Sequence, residues 1–289
     1  MSTIQIGTAS WTDKTLLQTS FYPEGVSTPE KRLRFYAEQF SIVEVDSTYY
    51  FPPTERNCAL WIQRTPPDFT FHIKAYSLLT NHPTRPESLY ADLRDQATKR
   101  ERFLYASHLP ESAMDEVWRR FVEALMPLHS SGKLGVVLFQ FPQWFVPNDK
   151  NRDYIMRCQQ RLADFTIAVE FRNGTWMNER TMRFLEQLRI PFTNVDMPQG
   201  FRSSMPPTAN TTSKQVSYVR FHGRNVDQWD KPHATATPRF AYLYTETELA
   251  EWVPRLQDLA TRSKQVHVLM NNCYSDHAVT NAKQLAAML

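Results

Sequence analysis

The sequence predicts an α/β fold built on eight parallel strands. Three observations carry this. Eight short apolar runs recur along the chain, and most are followed by a stretch with helical spacing. The runs are continuous rather than alternating, as in strands buried on both faces of a parallel sheet. The 289 residues accommodate eight such units in one domain spanning 1–289. No G-x-G-x-x-G or Walker A motif occurs among only 7 glycines, so a closed (β/α)8 barrel is expected over an open dinucleotide-binding sheet.

The elements follow in order. Ile4–Thr8 is the first strand, and Thr28-Pro29-Glu30 starts a helix with Thr as N-cap and Pro at the first helical position. Ile42–Asp46 is the second strand, running into Ser47–Pro53, and residues 55–64 form a short helix. Phe69–Lys74 is the third strand. The stretch 75–130 is long for one crossover: residues 86–106 are strongly charged and 111–129 read as an amphipathic helix. Lys133–Gln140 and 165–171 are strands four and five, with a polar helix near 150–162 between them. Met182, Leu185 and Leu188 mark the next helix, and Ile190–Asp196 the sixth strand. Residues 197–214 and 224–243 are long loops on either side of the strand Val216–Gly223; the second contains Trp229, Lys231, His233 and Arg239. Thr245 and Glu248 form a capping box ahead of a helix through Trp252 and Leu256. Val266–Asn272 is the eighth strand and Ala278–Leu289 the closing helix.

Composition narrows the function. A net charge of +3 is a weak bias toward anions, not the footprint of a dedicated nucleic-acid binder. Cys58, Cys158 and Cys273 are scattered, without zinc or disulfide spacing, which points to a reducing cytoplasm. The first residues, Met-Ser-Thr-Ile-Gln, lack a basic and an apolar leader region, so no signal peptide is expected, and no apolar run approaches the ~18 residues of a membrane span.

Barrel enzymes carry their chemistry at the C-terminal strand ends. Here those ends hold Glu44 and Asp46, His72 and Lys74, Gln140, Glu170 and Arg172, Asp196, Arg220 and His222, and Asn271 and Asn272. Spacing by two places Glu170 with Arg172, Arg220 with His222, and His72 with Lys74 on common strand faces. A charged residue there is costly unless paired or used. Trp11, Tyr49, Tyr50, Phe51, Trp144, Trp176 and Trp229 fall just after strands and suit a pocket for a planar or cyclic ligand, although each ring singly reads as loop packing.

Eight stretches resemble a known family. Ile-Gly-Thr-Ala-Ser-Trp (6–11), Val-Glu-Val-Asp-Ser-Thr-Tyr-Tyr (43–50), Leu-Phe-Gln-Phe-Pro (138–142), Ala-Val-Glu-Phe-Arg-Asn-Gly-Thr-Trp (168–176), Val-Arg-Phe-His-Gly (219–223), Tyr-Leu-Tyr (242–244) and Met-Asn-Asn…Asn-Ala (270–282), with Phe-Tyr-Pro (21–23), are similar to the YecE-like family, domain of unknown function 72. The resemblance implies a TIM barrel and brings no established activity. The chain departs from the pattern at Ala9-Ser10, where Ser-Gly is common, at Asn173, where His is common, and at Cys273.

The leading expectation is a hydrolase-like enzyme acting on a phosphate-bearing substrate, a nucleotide or nucleic acid. Glu44, Glu170, Lys74 and Asp196 are the expected catalytic residues. His72, Gln140, Arg172, Arg220, His222, Asn271, Asn272, Trp11 and Tyr49 are expected to bind substrate. Arg suits bidentate phosphate contact, and Glu44 and Glu170 can divide acid and base roles if their pKa values are pushed apart. A carbohydrate-active isomerase or glycosidase using Glu44 and Glu170, and a non-catalytic nucleic-acid or metabolite binder, are the alternatives. No cofactor is expected. A divalent metal on Glu44, Glu170, Asp196 and His222 is the weaker expectation, because no H-x-H, H-E-x-x-H or Asp-rich cluster occurs.

Overall fold

A computed structural model describes residues 2–98, 101–231 and 237–289. His233 lies outside the described residues. Eight parallel strands, β1 (Thr3–Thr8), β2 (Ile42–Val45), β3 (Thr70–Lys74), β4 (Leu134–Gln140), β5 (Thr166–Glu170), β6 (Thr193–Asp196), β7 (Val216–Phe221) and β8 (Gln265–Met270), hydrogen-bond in the order β5-β4-β3-β2-β1-β8-β7-β6. The ends meet through one bridge: Val169 N–H donates to Pro191 O at 3.0 Å, beside Phe192. The molecule is an α/β barrel of the TIM type, and it is nearly closed.

Helices α1 (Pro29–Gln39), α2 (Ser47–Tyr50), α3 (Glu55–Gln63), α4 (Glu111–Ser130), α5 (Asp149–Arg161), α6 (Glu179–Leu188), α7 (Glu246–Ala250), α8 (Val253–Arg262) and α9 (His277–Ala287) lie between and after the strands. Short polar residues start several of them, as N-capping requires. Thr28, Asn148 and Asn178 each accept a backbone N–H three residues on, and Thr245 with Glu248 completes a capping box. Two local differences from the sequence reading have clear causes. Ser47–Tyr50 coils into one helical turn directly after β2, and the single helix expected through Trp252 is divided into α7 and α8 ahead of Pro254. The enlarged segment between β3 and β4 begins as short 3-10 turns at Ser77–Thr80, Pro86–Ser88, Ala91–Gln96 and Ala106–His108 before α4. No helix among the described residues lies between β6 and β7, where the Pro- and Asn-rich stretch lacks helical spacing. No described helix is long and apolar enough to cross a membrane.

Alternation along the strands divides the core in two. Ile42, Val136, Leu138, Ala168, Val216, Tyr218 and Leu269 pack inside the barrel, while a larger apolar set packs between strands and helices. Two glycines permit close approaches that a side chain would block. A Cβ on Gly7 would stand 2.1 Å from Ile42 O, and one on Gly135 would stand 2.4 Å from His72 Nδ1. The second gap lets Val136 N–H donate to His72 Nδ1 at 3.0 Å.

Candidate functional site: a charged floor under an aromatic cavity

The inner face of the barrel turns from apolar to charged toward its C-terminal end. β2 supplies Glu44, β5 supplies Glu170, and β7 supplies Tyr218 and Arg220, all fully buried. Arg220 holds the layer together. Its Nη1 donates to Glu170 Oε2 at 2.7 Å, and its Nη2 donates to Glu44 Oε1. Tyr218 OH donates to the other Glu44 oxygen at 2.8 Å. Arg172 Nη2 pairs with Glu170 Oε1 at 2.6 Å, with His222 Nε2 3.1 Å from the same oxygen. Asn271 Nδ2 lies 2.8 Å from His222 Nδ1. With the amide donating there, the imidazole proton sits on Nε2 and serves Glu170.

The two buried glutamates differ electrostatically. Burial raises the pKa of Glu170, but Arg172, Arg220 and His222 together overcome it and hold the carboxyl well below the usual range. Glu44 is pushed up to about 7, by burial first and by Asp46 on the same strand end, against the pull of Arg220 and Lys74. Asp46 goes the opposite way: burial is outweighed by Lys74 and Arg220, and it titrates below its ordinary value. One proton held near neutral pH on Glu44 beside an ionised Asp46 is a coupled carboxyl pair. His222 is pushed down to about 3 by burial and by Arg172, so it is neutral.

A cavity of about 560 Å³ opens above this layer, within the usual range for small-molecule sites. Its floor is Asp46, Lys74, Gln140, Arg172 and Asn271, and Arg239 and Asp230 stand on its wall. Lys74 Nζ lies 3.3 Å from Asp46 Oδ1 and 4.9 Å from the centre of the Tyr49 ring. Arg172 lies 5.6 Å from the centre of the Trp229 ring. One wall is an arc of rings: Tyr50 to Tyr49 at 5.0 Å, Tyr49 to His82 at 5.3 Å, His82 to Trp144 at 6.1 Å. The other carries Trp229 and Phe240, 6.2 Å apart. Burial, helped by Lys74 and Arg172, pushes His82 down to about 3, so its ring is neutral.

The expected site residues therefore separate into layers. Lys74, Gln140, Arg172, Asn271 and Tyr49 line the cavity. Glu44, Glu170, Arg220 and His222 form the layer under it and do not line it. His72 is deeper, packed against Tyr218 and His267, with ring centres 5.0 and 4.8 Å away. Four placements at the mouth are corrected. Asp196 is in register with Phe221 and faces outward. There it accepts from Tyr244 OH at 2.7 Å, Trp252 Nε1 at 2.7 Å and Arg224 at 2.8 and 2.9 Å. Asn272 also turns outward, donating to Tyr242 O and Asn281 Oδ1. Trp11 packs edge-on to Trp61 and Phe71, and Trp176 stacks on Phe171 at 4.2 Å, both in the outer core. The weaker metal expectation loses its geometry with Asp196, and no group of three or more His, Cys, Asp or Glu is placed to hold a metal among the described residues. Arg220 also stands bonded between Glu44 and Glu170, where a glycosidase pair leaves room for sugar and water.

Asp46, His82, Asp230 and Arg239 line the cavity without having been expected to act there. Asp46 is among the strand-end residues that the sequence places at the mouth with Glu44, without a role assigned to it. His82 sits in a turn with no periodicity to flag it. Two of the departures make side-chain bonds in local turns: Asn173 Oδ1 caps the turn at Gly174–Trp176, and Ser10 Oγ accepts from Thr12 N–H at 3.1 Å. Cys273 is a free thiol, partly buried.

Asp196 gives a test of the outer face. Asp196→Ala removes an acceptor shared by three side chains and leaves Tyr244 and Trp252 with buried donors unpaired. A loss of about 3–4 kcal/mol in urea unfolding is expected, and a loss below about 1 kcal/mol would refute this structural role.

Residues 5–289 match the family described as "Protein of unknown function DUF72". The chain belongs to this family. The UPF0759 protein YunF of Bacillus subtilis (strain 168) is 32% identical over 293 residues, covering 99% of this chain and 94% of that protein. A DUF72 protein from Enterococcus faecalis V583 has a crystal structure 26% identical, with a TM-score of 0.82 and coverage of 99% and 95%. A second, from Thermotoga maritima MSB8, is 29% identical with a TM-score of 0.77, covering 99% and 98%. These DUF72 relatives support the barrel fold and name no reaction.

Proposed function

We propose that this DUF72 chain is an enzyme that hydrolyses a phosphate ester of a ring-bearing substrate in the cavity at the barrel mouth. The observation that carries the reading is the meeting of Asp46, Lys74, Arg172 and Arg239 with two aromatic walls in one cavity. Lys74, Arg172 and Arg239 hold the phosphoryl oxygens and stabilise the charge that builds on them. Gln140 and Asn271 bond to substrate hydroxyls or base edges. The ionised Asp46 takes a proton from water as its oxygen attacks phosphorus. The bond from phosphorus to the leaving oxygen breaks, and that oxygen takes a proton from the Lys74 ammonium. Glu44, Glu170, Arg220 and His222 are positioning residues that hold Asp46 and Arg172 from below, while the deeper His72 packs against Tyr218 beneath them.

The test is a panel of nucleoside monophosphates, phosphodiesters and the corresponding nucleosides, scored for binding and for release of product. Phosphate-bearing members are expected to bind at least tenfold tighter than their nucleosides, and Lys74→Gln to erase most of that difference. Asp46→Asn is expected to lower turnover about 10²–10⁴-fold while affinity stays within threefold. Equal affinity for nucleosides, or unchanged turnover in Asp46→Asn, overturns the reading.

A further inference from the structure

The two walls of the cavity are not equivalent to one stacking site. The arc from Tyr50 to Trp144 rises from a floor cation, Lys74, set against Tyr49. The facing pair, Trp229 with Phe240, rises from a second floor cation, Arg172, set against Trp229. A phosphate lodged between Lys74 and Arg172 therefore has rings available on both sides. The arc also leaves the enclosed space: Tyr50 is 58% and Trp144 54% exposed, although both line the cavity. Free aromatic faces at a rim suit a second unit of a longer ligand, since each base presents a face that stacks.

Charge selects the kind of phosphate. Among the described cavity-lining residues, the cations Lys74, Arg172 and Arg239 exceed the carboxylates Asp46 and Asp230 by one. In the layer beneath, Arg220 balances Glu170, and Glu44 adds a negative charge only when it is ionised. The described residues of the site thus carry a net positive charge of one at most. That matches the single charge of a phosphodiester and falls short of the two on a terminal phosphate.

Resting on the proposed phosphate-ester chemistry, we infer that the substrate class is a phosphodiester flanked by a ring on each side, such as two linked nucleosides or the end of a single nucleic-acid strand. The ring beyond the phosphate lies on the exposed Tyr50–Trp144 rim, and the other between Trp229 and the cavity interior.

Calorimetric titration of the full chain with thymidylyl-thymidine, thymidine monophosphate and thymidine tests this. Thymidylyl-thymidine is expected to bind at least tenfold tighter than the monophosphate. Trp144→Ala, at a half-exposed position, is expected to reduce the ratio of those two affinities about tenfold. If both phosphates bind equally and both depend on Lys74, or if Trp144→Ala leaves the ratio unchanged, the diester inference fails and the broader phosphate-ester reading stands. If neither phosphate binds more tightly than thymidine, both fail together.

Discussion

Arg220→Met is expected to lower stability by about 3–5 kcal/mol, because it strands two fully buried carboxylates. The guanidinium is the only described side chain that touches both Glu44 and Glu170 through charge-assisted bonds, one from each terminal nitrogen. Methionine fills comparable space with an apolar chain, so the loss is chiefly electrostatic rather than a cavity. Glu44 has a cheap escape, since it already titrates near 7 and can stay protonated. Glu170 keeps Arg172 and His222 but loses its Oε2 partner. Adding Glu170→Gln to Arg220→Met is therefore expected to recover part of the loss. Urea denaturation at pH 7 measures all three proteins. A single variant within about 1 kcal/mol of the parent would show that Arg220 does not hold this layer.

A second large effect lies in acid. Unfolded imidazoles titrate near 6.5, whereas in the fold burial holds His82 and His222 at about 3, His267 at about 4 and His72 well below its ordinary value. Through this window the unfolded chain binds protons that the folded chain refuses. Stability therefore rises with pH and is lost as pH falls from 6.5 toward 3. Glu44 has the opposite sign: its folded value of about 7 exceeds the ordinary one, so its contribution is lost as pH rises through 7. Four imidazoles outweigh one carboxyl, leaving a net slope of about three protons, or about 4 kcal/mol per pH unit, between pH 6 and 5. That is a large fraction of the about 5–15 kcal/mol that holds a domain together. Thermal unfolding as a function of pH should show maximal stability near pH 6.5–7 and a steep acid limb. His267→Phe isolates one proton, because neither ring nitrogen of His267 has a hydrogen-bond partner to lose. The variant should have a shallower acid limb, and an unchanged slope would refute the assignment.

The strands and the charged strand ends were legible in the sequence because both follow from local patterns. Continuous apolar runs at Val136–Phe139 and Ile167–Val169 can only be buried, and Glu170 with Arg172 must then share a face. What the pattern could not supply was which face. Asp196 ends its strand with a charge just as Glu170 does, yet its register with Phe221 turns it toward Trp252 and Tyr244. Depth was equally hidden: Glu44 and Asp46 are two residues apart, but only Asp46 reaches the cavity. His82 and Trp229 come to the site on irregular loops, whose paths depend on tertiary contacts such as the bond from Trp229 Nε1 to Ser203.

The barrel joins β5 to β6 by a single bridge at Val169, while β4 and β5 run in register from Val136–Thr166 to Gln140–Glu170. A lateral joint with so few rungs is the place where the cylinder can part at least cost. Glu170 is the residue that follows Val169, so one of the two fully buried acids beneath the cavity stands beside the wall's thinnest seam. Brief parting there would give water a side entrance to the ion network, separate from the open mouth through which a ligand arrives.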